Sequence, residues 1–228
     1  MVIAAILICD FGKQDEIDNI ITKSKEIMER MNSKHPVLTS SEDLSLAMFL
    51  ALSYKDVDTI IKDIDEGYDY LKNTCKVKAS SNAVQELCEV LAVSYGDMKE
   101  KCDKVLRIYS TFSNHKAEYG SDLEFASLGS LIDIGLDPDS LVREVIEAEE
   151  YLKDKGGNVI RTMEKKQRMM YAALLVADAC GSTSAVMSGS VLNNTVSMLI
   201  AKRISTMISV ILNGVSLLAS AASKDGEE

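Results

Sequence analysis

No tryptophan occurs in this chain, histidine and proline occur twice each, and aromatic residues make up 5% of its 228 positions. So little histidine leaves a thin vocabulary for acid–base work or metal binding, and neither H-E-x-x-H nor G-x-S-x-G is present. The cysteines at 9, 75, 88, 102 and 180 are odd in number and form no C-x-x-C pair, which argues against a disulfide framework and against a spaced zinc site. A reducing cytoplasm is the expected compartment. Positive charge is also short: 25 Lys and Arg stand against 35 Asp and Glu, a formal net charge of −10. Without a basic patch a phosphate backbone would be repelled, so no nucleic-acid partner is expected. Nor is a metal, a cofactor or a catalytic residue. The pair Gly156-Gly157 lacks the flanking residues of a phosphate loop and reads as a helix stop.

Long uninterrupted apolar runs are missing too. Met1 to Cys9 is apolar but has no positive n-region and meets Asp10 at once. As a helix it would span about 14 Å, roughly half a bilayer core. The longer apolar region, Ser184 to Ala222, is interrupted by Asn193, Asn194, Lys202, Arg203 and Asn213, so it falls short of the roughly 18 apolar residues a spanning helix needs. Neither a signal peptide nor a membrane span is expected. What the chain does contain, 46% hydrophobic and 26% charged residues, suits a packed globular domain.

The strongest pattern is an internal repeat. Leu50 to Val57 (LALSYKDV) returns 41 residues later as Leu91 to Met98 (LAVSYGDM), and the same offset carries Tyr68 onto Tyr109 and Leu71 onto Phe112. A second overlay places Asp43, Leu44, Ala47 and Leu52 on Asp122, Leu123, Ala126 and Leu131. Helix punctuation recurs with it. Thr39-x-x-Glu42, Asn82-x-x-Gln85 and Ser121-x-x-Glu124 read as N-cap pairs that open a first helix. Gly12, Gly96, Gly135 and Gly181 read as left-handed turn residues after that helix. Asp56 or Asp58, Asp97 and Asp137, the last followed by Pro138, read as the start of a second helix. Apolar spacing of three and four, as in Ile60, Ile61, Ile64, Tyr68 and Leu71, completes the case for helix, with no strand-like alternation.

The predicted fold is therefore all-α: about five stacked helical hairpins, 2–31, 42–73, 82–113, 122–154 and 163–221, forming an α-solenoid or a closed bundle. Residues 1–222 are read as one domain and 223–228 as a disordered acidic tail. The last hairpin is expected to end in a long apolar helix over Val191 to Ala221. Ser205, Ser209, Asn213, Ser216 and Ser220 make its polar stripe, and Ile204, Met207, Ile208, Ile211, Val215 and Leu218 lie opposite.

The segment EIMERMNSK followed by HPVLTSSEDLSLAMFLALS, His35 to Ser53, resembles the YxxMKxxHPxLTSxED signature of an uncharacterised bacterial family. This is the domain-of-unknown-function family numbered four thousand and three. The Asn82-x-x-Gln85-x-Leu87 stretch is similar to its next landmark, GNxLQxLSH, but Ser81 replaces the glycine and Cys88-Glu89 replaces the Ser-His pair. The resemblance implies an N-terminally shortened member with Met1 inside its first helix. It implies no activity.

The candidate binding residues are His35, Thr39, Glu42, Asp43, Asn82 and Gln85, each of which also has an explanation as part of a helix cap. His35 and His115, each ahead of an aligned acid, would stand roughly 10 Å or more apart, a hairpin spacing that is too far for one metal ion. The leading expectation for function is a non-catalytic binding scaffold for a protein or peptide, with a homo-oligomer through the C-terminal helix as a further expectation. The alternatives are a small-molecule or lipid binder with its pocket against that helix, or an enzyme using His35, Glu42 and Asp43.

Overall fold

The computed structural model describes Ile8, residues 12–34, Pro36 and residues 44–181. The predicted helix over Val191 to Ala221, the tail 223–228, and His35, Thr39, Glu42 and Asp43 all lie outside the described residues. Within them the fold is all-helical. A 3-10 turn, Gln14–Glu16, leads into α1 (Ile17–Lys34). Next come α2 (Leu44–Leu52), and α3 (Val57–Asp69) continued by a π-turn (Tyr70–Thr74). After them follow α4 (Ser81–Ala92), α5 (Met98–Asn114), and a short α6 (Leu123–Ala126) that tightens into a 3-10 helix (Ser127–Leu131). The last described elements are α7 (Pro138–Lys155), α8 (Asn158–Thr162) and α9 (Lys165–Gly181). None of the described helices is long and apolar enough to cross a membrane.

The aspartates placed at the second helices are where the chain turns helical. Asp56 accepts from the Thr59 amide at 2.8 Å, Asp97 from the Glu100 amide at 2.9 Å and Asp137 from the Ser140 amide at 3.0 Å. Each satisfies an amide that has no carbonyl partner in the first turn. The Thr59 amide and hydroxyl hold the Asp56 carboxyl below its ordinary value, and Ser140 does the same for Asp137. Pro138 stands at the first helical position, where a missing N–H costs nothing.

The first-helix caps need correction. Ser80, not Asn82, is the N-cap of α4: the chain enters the helix extended at Ser80, whose hydroxyl accepts from the Ala83 amide at 3.2 Å. Asn82 lies one residue inside the helix and is exposed. Ser121 caps nothing with its side chain; its carbonyl instead accepts from the Ser80 amide at 3.4 Å, tying two loops together. Among the glycines, Gly12 (φ 62) and Gly96 (φ 117) are left-handed as expected, whereas Gly135 is not and Gly181 is the last residue of α9. Gly156 does stop α7.

The helices form two rows. In one, α1, α3, α5 and α7 pack side by side in that order; in the other lie α2, α4, α6 with its 3-10 extension, and α9. Each helix of the first row buries one stripe, such as Ile20, Ser24, Ile27 and Met31 on α1. The first three helices of the second row are buried almost throughout: every residue from Leu46 to Leu52, from Ala83 to Ala92 and from Glu124 to Ile132 is buried, whereas α9 exposes Leu175 and Asp178. The core lies between the rows and is filled by Phe49, Phe112, Phe125, Leu50, Leu87 and Leu91. At Gly129 an added Cβ would stand 2.6 Å from Val90 Cγ1, so glycine lets the 3-10 helix seat closely on α4.

Candidate functional site

Of the six predicted binding residues, two are described, and the structure does not bring them together as a site. Asn82 faces solvent, while Gln85 is 2% exposed and donates from Nε2 to Glu89 Oε1 at 2.9 Å, one turn along α4. Gln85 Oε1 has no hydrogen-bond partner among the described residues. His115 does not meet Asp122; its Nε2 lies 2.8 Å from Asp139 Oδ1 on the first turn of α7.

The buried cations Lys55, Lys101 and Arg168 are held in structural bonds. Lys55, 4% exposed, donates to Asp63 Oδ2 at 2.6 Å and to the Ala92 carbonyl at 2.9 Å. Lys101 donates to the Leu91 and Ser94 carbonyls at 2.8 and 2.7 Å. Two ammonium groups thus close the C-terminal end of α4, where carbonyls lack helical partners and the dipole is negative. Burial and the nearby Lys55 charge lower Lys101 to about 8. Arg168 joins α9 to α7 through Glu149 Oε1 at 2.8 Å. Burial drives the Cys88 thiol well above its ordinary value and Cys102 up to about 12, so neither is a nucleophile near neutrality. Among the described residues no group of three or more His, Cys, Asp or Glu is placed to hold a metal ion.

Exposed chemistry gathers at the turns inside the hairpins. Tyr54 and Tyr95, equivalent in the repeat, are 85% and 71% exposed, and each has a lysine of the preceding turn over its ring. Lys13 Nζ lies 4.8 Å from the Tyr54 centroid and Lys55 Nζ 5.4 Å from that of Tyr95, so the turns are linked in series by cation–π contacts. Leu136, in the next turn, is 42% exposed. It borders a groove of about 300 Å³ formed with Ile132, Ile134, Leu141, and Lys104, Arg107 and Ile108 of α5. A larger cleft of about 650 Å³ lies between α1 and α3, but Arg30 is paired with Asp58 there and Lys34 with Asp65. The tyrosines stand inside the repeated octapeptide, and their recurrence where each helix stops was the available signal. The groove left none, because it joins residues about 30 apart.

A family model described as "Protein of unknown function (DUF4003)" matches residues 1–205. No curated protein and no solved structure matches the chain.

Proposed function

The chain belongs to the DUF4003 family, whose function is unknown, and from that premise we propose that it is a non-catalytic helical-repeat scaffold whose row of turns binds a protein or peptide. The observation that carries this reading is the pair Tyr54 and Tyr95, two large aromatics left in water at equivalent turns. Aromatic side chains are costly to leave exposed and are enriched among the residues that dominate binding energy. Their lysine neighbours hold the rings in place, which reduces the entropy lost when a partner docks. In this reading the protein works in the cytoplasm, where Cys75, Cys88, Cys102 and Cys180 stay reduced.

The test compares the tagged wild-type chain with the Tyr54→Ala, Tyr95→Ala double variant, each cross-linked in its native cell and quantified by mass spectrometry. A protein enriched with the wild type and lost with a variant of unchanged melting temperature supports the scaffold. Identical enrichment from both chains refutes a turn-edge site. A recovered mass consisting only of the chain itself, with light scattering giving a dimer that loses its partner on deletion of 204–228, assigns the interface to the C-terminal segment instead.

A further inference from the structure

Polar pairs cross the first two junctions between successive helices of the first row. Between α1 and α3 these are Arg30 with Asp58 and Lys34 with Asp65. Between α3 and α5 they are Lys99 with Glu66 at 3.6 Å and the Tyr70 hydroxyl with Asp103 at 2.9 Å. The third junction differs. Lys104 and Arg107, exposed and one turn apart on α5, have no acidic partner among the described residues. Asp139 opposite them is bonded to His115, and the Asp137 carboxylate is engaged by the Ser140 amide. Beneath the two cations lies the 300 Å³ groove, whereas the cations of the larger cleft between α1 and α3 are paired. In a chain carrying ten more acids than bases, two neighbouring cations without an acidic partner among the described residues stand out on an apolar groove.

Resting on the scaffold reading, we propose that the groove between α5 and the 131–141 turn takes an acidic amphipathic peptide segment of a partner protein. One apolar side chain of the segment fills the space bounded by Ile108, Ile132 and Leu136. Carboxylates about one helical turn apart reach Lys104 and Arg107. A short segment suits the site better than an anionic membrane or a nucleic acid, whose charge extends over the whole face and would meet the net −10 of the protein. The apolar anchor supplies affinity and the charge pair supplies orientation and register.

The probe is a displayed library of random 16-residue peptides, selected on the full-length chain at low salt. Binding of the selected peptides is then measured by fluorescence polarisation to the wild type, to Lys104→Glu with Arg107→Glu, and to Lys62→Glu as a control at the first junction. The expected result is peptides enriched in Asp or Glu beside large apolar residues. Their affinity should fall at least tenfold with the double charge reversal and with rising salt, but change less than twofold in the control. Should the charge reversal disturb folding, Lys104→Gln with Arg107→Gln gives the same comparison with a smaller drop. Peptides that bind through Tyr54 and Tyr95 but ignore Lys104 and Arg107 overturn the groove while leaving the scaffold reading intact. Peptides without acidic enrichment also overturn the groove, and failure to select any peptide counts against both readings.

Discussion

The pair α2–α3 and the pair α4–α5 are joined through nearly the same octapeptide, yet they finish their helix ends with different residues. In the first pair the end of α2 is closed by Lys23 of α1, whose ammonium donates to the Ser53 carbonyl at 2.7 Å. In the second, the end of α4 takes two lysines: Lys55 from the preceding turn and Lys101 from its own second helix. Lys55 corresponds in the repeat to Gly96, whose φ of 117 suits glycine better than any residue with a side chain. The second helices also end differently. Both are followed by a left-handed lysine, Lys76 and Lys116, but α3 reaches it through a π-turn. The Ala117 amide bonds the Phe112 carbonyl five residues back, while the Val77 amide bonds Leu71 six residues back. The π-turn absorbs one extra residue, so the two ends stay equivalent although the sequence offset changes from 41 to 40. The two similar octapeptides thus lie in similar turns, while the polar closure of each helix end is supplied by whichever neighbour is within reach.

The contrast is broken most sharply at Lys55. Lys55→Ala removes a buried ammonium from Asp63 and the Ala92 carbonyl together, and should cost about 3 kcal/mol or more, because each partner is left with its charge or lone pair uncompensated. Lys23→Ala, at the half-buried end of α2, should cost about 1 kcal/mol. Urea unfolding of both variants checks the ranking, and equal losses would mean that the two ends are closed equivalently.

Lys101 sharpens the comparison through pH. Its value is lowered from 10.5 to about 8 in the folded protein, first by burial and then by Lys55. Between those values the unfolded chain binds the extra proton, so this group's contribution to stability rises with pH across the window and is lost as pH falls through about 8. The stability of the wild type minus that of Lys101→Met should therefore increase from pH 8 to 10.5. A difference that stays flat or declines over that range would refute the assignment.

The smallest effect separates two serines' worth of sequence at the start of α4. Ser80→Ala should lower stability by about 1 kcal/mol through loss of the cap. Asn82→Ala should stay within about 0.5 kcal/mol, as for an ordinary surface change. Thermal melts of both variants decide between the observed cap and the one expected from the Asn82-x-x-Gln85 spacing.

Much of the helical pattern was legible because it rests on contacts three and four residues apart. Asp56, Asp97 and Asp137 cap the helices they precede, and the apolar spacing of Ile60, Ile61 and Ile64 marks a buried stripe; both are local. The third first helix was less legible: α6 is a single α-turn that tightens to 3-10 where the 122–154 hairpin was read as two ordinary helices. Gly129 shows the reason, since close seating on Val90 governs that segment more than helical spacing does. Gln85 takes no part in the cap for a related reason. Its spacing from Asn82 fits a capping box, but α4 is surrounded, and burial leaves Glu89 as its partner.

The sequence alone determined that the described residues are helical and where their second helices start, because caps and apolar stripes act within one or two turns of backbone. Only the tertiary structure decided which polar groups meet. Lys55 finds a carbonyl 37 residues away and His115 a carboxylate 24 residues away. Lys104 and Arg107 are left facing an open groove. Such outcomes depend on how far each helix is shifted along its neighbour, and that shift is set by the packing of whole helices, which no local spacing encodes.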